Sequence, residues 1–141
     1  MLPMTPAEAF AALALVAVAC DGSLEREEAH ALRDQLEGRT PFRNLSEATM
    51  GAMFDQLLEL LRRDGWQGLL AQALPALTPE QQETGLAIAA HLVQCDRLVR
   101  AEELTMLESM AEQMSLPAER SRQILDVIRV LNRDKIGRAH V

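Results

Sequence analysis

The sequence predicts an all-α fold, a seven-helix bundle with an internal pseudo-twofold repeat of a helix-turn-helix unit. Three observations lead there. Apolar residues recur at three- and four-residue spacing along the chain, and alternating strand patterns are absent. The connections between periodic segments are short, which suits a single domain in 141 residues. A segment around Cys20 also recurs around Cys95, and internal self-similarity is an architectural signal. With 48% apolar and 25% charged residues, the composition is that of a globular domain.

The first predicted helix starts at Thr5-Pro6-Ala7-Glu8: a capping Thr, Pro at the first helical position and Glu three residues past the cap. It runs through Phe10, Leu13, Leu15, Val16 and Val18 to Cys20, where Asp21-Gly22 stops it. The second spans roughly Glu25 to Glu37 and ends at Gly38, followed by a loop through Thr40-Pro41 to Leu45. The third begins at the Ser46 cap and carries Met50, Met53, Phe54, Leu57, Leu58 and Leu61 to Arg63. Asp64-Gly65-Trp66-Gln67 then offers a cap and a Gln three residues on, predicting a short fourth helix that ends near Pro75. The fifth opens at Thr78-Pro79-Glu80-Gln81 and reaches Cys95, the sixth covers about Arg100 to Met114, and the seventh runs from Pro117 to about Leu131.

Composition excludes several functions. The net charge of −7 repels nucleic acid and anionic lipid, and Arg62-Arg63 and Arg120/Arg122 are too sparse for a nucleic-acid footprint. Aromatics are 3%, too few for a base-stacking platform. No Gly-rich phosphate loop, nucleophile elbow or catalytic triad is present, so the chain is expected not to be an enzyme. The apolar run Ala9–Cys20 is shorter than the ~20 residues a membrane span needs. A lipoprotein signal ending at Cys20 is opposed by Glu8 and the lack of Lys or Arg before the run. These readings point to a buried helix in a cytoplasmic protein without membrane insertion.

The tail stands apart. Ile136-Gly137-Arg138-Ala139-His140-Val141 is the translation of a widely used sequencing adapter in one frame, and Lys135 is the only Lys beside 13 Arg. The expected organisation is one helical domain over 1–135 and a non-native tail over 136–141.

The repeat carries the functional reading. Cys20, Asp21, Glu27 and Glu28 coincide with Cys95, Asp96, Glu102 and Glu103 at an offset of 75, and Leu13, Leu24 and Leu32 match Ile88, Val99 and Leu107. Asp21 and Asp96 sit at helix ends, where their charge opposes the negative end of the macrodipole and needs an offsetting cation or helix amino end. Two readings remain open. In one, Glu28 and Glu103 reach back to the turn as half of a capping box, with Leu24/Ala29 and Val99/Leu104 as staples. In the other, Asp21, Glu27, Glu28, Asp96, Glu102 and Glu103 gather as oxygen ligands for a divalent cation, Ca²⁺ or Mg²⁺ rather than zinc.

The apolar Ala-rich helix followed by Asp-Gly, an apolar residue and Glu-Glu resembles the TerB tellurite-resistance family. Pro6-Ala7-Glu8-Ala9-Phe10, Ala19-Cys20-Asp21-Gly22, Pro41-Phe42-Arg43 and Leu131-Asn132-Arg133 are similar to segments of small cyanobacterial TerB-like proteins. The resemblance covers nearly all of 5–134. It implies a seven-helix bundle, metal-binding acidic residues with Asp21 and Asp96 among the matching positions, and a stress or tellurite role with protein partners. Arg97 stands where the family usually keeps Gly, placing a cation beside Asp96.

Other constellations have simpler readings. Glu27-x-x-His30 has di-iron spacing but no second copy, since Thr105 follows Glu102 by three. His91 reads as a hydrogen-bonded structural histidine. Cys20 and Cys95 read as small buried hydrophobes that could approach one another, and Met106, Met110 and Met114 as a core stripe. The alternative to a cation module is a metal-independent protein-interaction module built on an apolar groove edged by acids.

Overall fold

The first helix begins as its cap chemistry requires. The Glu8 amide donates to Thr5 Oγ1 at 3.1 Å and the Thr5 amide donates to Glu8 Oε1 at 2.9 Å, a reciprocal capping box. The computed structural model describes residues 4–20, 24–40, 42–95 and 101–133. Within them α1 spans Pro6–Ala19, α2 Arg26–Leu36, α3 Glu47–Ala73, α4 Pro79–Cys95, α5 Ala101–Gln113 and α6 Ala118–Asn132. A 3₁₀ turn, Leu74–Ala76, joins α3 to α4.

Six α-helices among the described residues correct the expected seven. The predicted third and fourth helices are one kinked helix, α3, of 27 residues. Asp64-Gly65 has the composition of a stop, yet only Gly65 departs from helical geometry, with φ 74° and ψ 170°. That region is open essentially to Gly alone. Asp64 ties the two arms together. Its carboxylate accepts from Arg63 at 3.1 and 3.0 Å and from Gln72 Nε2 at 3.0 Å. The arms come so close that a Cβ on Gly68 would lie 2.7 Å from Asp64 Cβ. The seven-helix form implied by the TerB resemblance is corrected by the same finding.

The starts of α3 and α4 also lie where their caps place them. The Thr49 amide donates to Ser46 Oγ at 3.1 Å at the head of α3. Thr78 and Gln81 exchange bonds of 3.2 and 2.9 Å at the head of α4.

α1 is the central element, packed against α2, α3, α4 and α5. Leu13, Leu15, Val16 and its alanines at 9, 11, 12, 14, 17 and 19 are all buried, so it is apolar around its whole circumference and must sit inside. Its small side chains admit close neighbours: a Cβ on Gly85 of α4 would lie 2.6 Å from Leu13 Cδ1. α6 packs on the far side of α4. Of the apolar positions matched by the repeat, Leu13, Ile88, Leu32 and Leu107 are buried and Leu24 is partly buried, while Val99 lies outside the described residues. Met106, Met110 and Met114 are buried too, the core stripe expected of them. Among the described residues, no helix is long and apolar enough to cross a membrane.

Candidate functional site

The carboxyl end of α1 meets two acidic first turns. Glu27 and Glu28 open α2, and Glu102 and Glu103 open α5. Acidic residues are favoured there by the positive end of each helix dipole. Because α1 packs against both helices, the turns converge. Glu25, Glu27, Glu28 and Glu103 line one cavity of about 170 Å³, whose apolar side is Ala17, Val18, Ala31 and Leu92. Glu28 and Glu103, paired by the 75-residue offset, thus face the same space.

Glu28 also holds its own turn, since Oε1 accepts the Glu25 amide at 2.9 Å. That bond is the half capping box expected from the spacing. In the second copy Arg100 and Val99 lie outside the described residues, and Leu104 is 45% exposed. Leu24 packs against the core as a staple residue should.

Of the six predicted ligands, Glu27, Glu28 and Glu103 come together, while Glu102 is exposed and does not line the cavity. Asp21 and Asp96 lie outside the described residues, as do Arg97 and Arg100. Among the described residues, no group of three or more His, Cys, Asp or Glu is arranged to hold a metal ion. The described carboxylates therefore surround a space without closing on one point. The cavity admits water, and carboxylates lining a recess concentrate cations in it.

His91 is structural. Asn132 Nδ2 donates to His91 Nδ1 at 3.1 Å and to Ile128 O at 2.9 Å. The first bond requires an unprotonated Nδ1, so His91 is a hydrogen-bonded structural histidine of the α4–α6 interface. Glu27 and His30 are exposed, and Cys20 packs at the edge of the core. The Cys95 side chain lies outside the described residues, so the approach of the two thiols does too.

Two features had no motif to announce them. Arg39 and Phe10 line a cavity of about 380 Å³ at the amino end of α1. Gln82, polar and in mid-helix, is buried at 3% exposure. No family model, curated protein or solved structure matches the chain.

Proposed function

We propose that the acidic end of the bundle binds a hydrated divalent cation and couples it to the packing of α1, α2, α4 and α5. One observation supports this reading: Glu25, Glu27 and Glu28 share a single cavity with Glu103, from the other half of the repeat. The described carboxylates do not form a three-ligand set, which favours an ion that keeps its waters. Mg²⁺ behaves so, binding through one or two carboxylates, whereas Ca²⁺ asks for six to eight oxygens. The module acts by binding, not catalysis, as a cytoplasmic protein with protein partners. The TerB resemblance supplies the stress or tellurite context.

Calorimetry of the full chain with Mg²⁺, Ca²⁺ and Mn²⁺ tests the proposal, together with melting curves. An ion that binds only the folded state at 100 times its Kd adds about 2.7 kcal/mol. That is a rise in Tm of roughly 5–10 °C for a chain of this size. Glu28→Gln with Glu103→Gln keeps an oxygen for the Glu25 amide while removing two charges, and should lower affinity about tenfold or more. No heat and no shift in Tm at about 10 mM ion, beyond the weakest ordinary protein sites, refutes it. So does unchanged binding in the double variant.

A metal-independent interaction module has one observation in its favour. Val127, Val130 and Leu131 of α6 are 64%, 52% and 61% exposed at helical spacing, while Ile124, Leu125 and Ile128 pack on the core. Three aliphatic side chains fall well short of the ~800 Å² per partner of a stable dimer, so the partner they fit is a short amphipathic helix bound transiently. Val127→Ser with Leu131→Ser would abolish such binding without lowering Tm; a normal affinity in that variant would refute this reading.

A further inference from the structure

We propose that the cavity at the amino end of α1 binds a small amphipathic monocarboxylate, with Arg39 holding the carboxylate and Phe10 and Leu77 receiving the apolar body. The site lies at the opposite end of α1 from the acidic cavity and does not depend on a metal ion.

Four segments build it. Pro6 and Phe10 come from the start of α1, Arg39 from the turn after α2, Leu77 from the link before α4, and Gln81 and Thr84 from the first turns of α4. Its volume of about 380 Å³ is within the ~300–1,000 Å³ range of small-molecule sites. Arg39 is the one charged residue lining it among the described residues, in a chain whose net charge is −7. A recess with an apolar wall and a single guanidinium selects a monoanion with an apolar body. A phosphate dianion would leave one charge uncompensated against that wall.

The guanidinium is positioned before any ligand arrives. The Arg39 amide donates to Leu36 O at 3.0 Å, and Arg39 O accepts the Phe42 and Arg43 amides at 2.9 and 3.0 Å, which fixes the backbone. Nε donates to Gln35 O at 3.0 Å. The guanidinium carbon lies 5.9 Å from the centre of the Phe10 ring, a cation–π distance. Phe10 in turn lies 6.4 Å from the buried Phe42 ring, tilted by 43°. With Nε engaged, the two terminal nitrogens are left as the fork that carboxylates accept in pairs. Gln81 uses Oε1 for the Thr78 amide, leaving its amide nitrogen as a second donor. Holding the arginine in place lowers the entropic cost of binding.

Octanoate is the probe, titrated into the full chain in the presence of EDTA and followed by calorimetry and by chemical shifts. Saturable binding is expected, with shifts centred on Phe10, Leu77 and Arg39. Octanol keeps the body without the charge, and inorganic phosphate the charge without the body; each should bind at least about tenfold more weakly. Arg39→Ala should weaken octanoate roughly 10- to 100-fold, the size of a lost charge-assisted bond. Arg39→Lys, which keeps the charge without the fork, should fall between. Thr84→Trp, at an exposed helix position on the rim, should block the site without touching Arg39. The proposal is overturned if octanoate does not saturate, if octanol binds equally well, or if Thr84→Trp binds like the parent. Because EDTA is present throughout, failure here leaves the cation reading standing, and the reverse also holds.

Discussion

Replacing Gln82 tests how the two ends of α4's surroundings are joined. This side chain, 3% exposed, donates through Nε2 to Leu74 O at 3.3 Å and Leu77 O at 3.2 Å. Its Oε1 accepts the Ser115 amide at 2.7 Å, clasping the α5–α6 connection to the 3₁₀ turn. Gln82→Met keeps the volume and removes all three bonds. Leu74 O still accepts the Leu77 amide at 3.1 Å, so it loses least. Leu77 O loses its one described donor in a buried place, worth about 1–3 kcal/mol. The Ser115 amide is half-buried and recovers part of its bond from water, leaving about 0.5–1 kcal/mol. The sum is a loss of about 1.5–4 kcal/mol, a large fraction of the ~5–15 kcal/mol by which domains are stable.

Gln82→Glu separates this from packing. It keeps an acceptor for Ser115 but turns an oxygen toward two carbonyls. Burial and those carbonyls raise the folded pKa of the new carboxyl above its unfolded value. Its protonated form can still donate one bond, so the variant is favoured below the unfolded pKa and loses stability as pH rises through the folded one. Urea unfolding followed by Trp66 fluorescence reads both variants at constant m. The reasoning fails if Gln82→Met unfolds within about 0.5 kcal/mol of the parent, the scatter of ordinary surface changes. It also fails if the Gln82→Glu deficit does not grow with pH.

Three other outcomes follow from single contacts. Gly65→Ala should cost about 1–3 kcal/mol or straighten α3, because φ 74° with ψ 170° strains any side chain; a melt equal to the parent's would refute the kink. Gly85→Ala should destabilise despite Ala's better helix propensity, since Leu13 is fully buried and its Cδ1 sits 2.6 Å from the new Cβ. Leu13→Ala alone should cost about 2–5 kcal/mol, and the double variant less than the sum, which a double-mutant cycle measures. The Arg120 guanidinium, 2.7 Å from Glu83, holds that carboxyl below its ordinary 4.5. The pair therefore supports the fold above 4.5 and fades as pH falls below it, so Arg120→Ala should flatten that part of the acid-unfolding curve. The effect is small because both partners are solvated, and a steepened curve would contradict the pairing.

Much of the fold was legible because its signals are local. Thr5-Pro6-x-Glu8, Ser46 and Thr78-Pro79-x-Gln81 place the starts of α1, α3 and α4 through bonds that close within three residues. The kink at Gly65 was misread for the same reason. Asp-Gly carries identical local chemistry whether a helix ends or merely bends, and the bond from Gln72 to Asp64 that joins the arms spans eight residues. Of the candidate site, the 75-residue offset pairs Glu28 with Glu103 and Glu27 with Glu102, but it could not decide that Glu27, Glu28 and Glu103 line one cavity while Glu102 does not.

The sequence alone determined the class of fold, the central burial of α1 and the acidic first turns, because periodicity, side-chain size and dipole preference act within a few residues. Only the tertiary structure decided which distant side chains share a cavity or a buried bond. Phe10, Arg39, Leu77 and Thr84 come from four segments with no common spacing, and Gln82 looks like any solvated helix residue until Leu77 and Ser115 close over it. Such encounters are set by how helices cross, and helix crossing is a property of the packed whole.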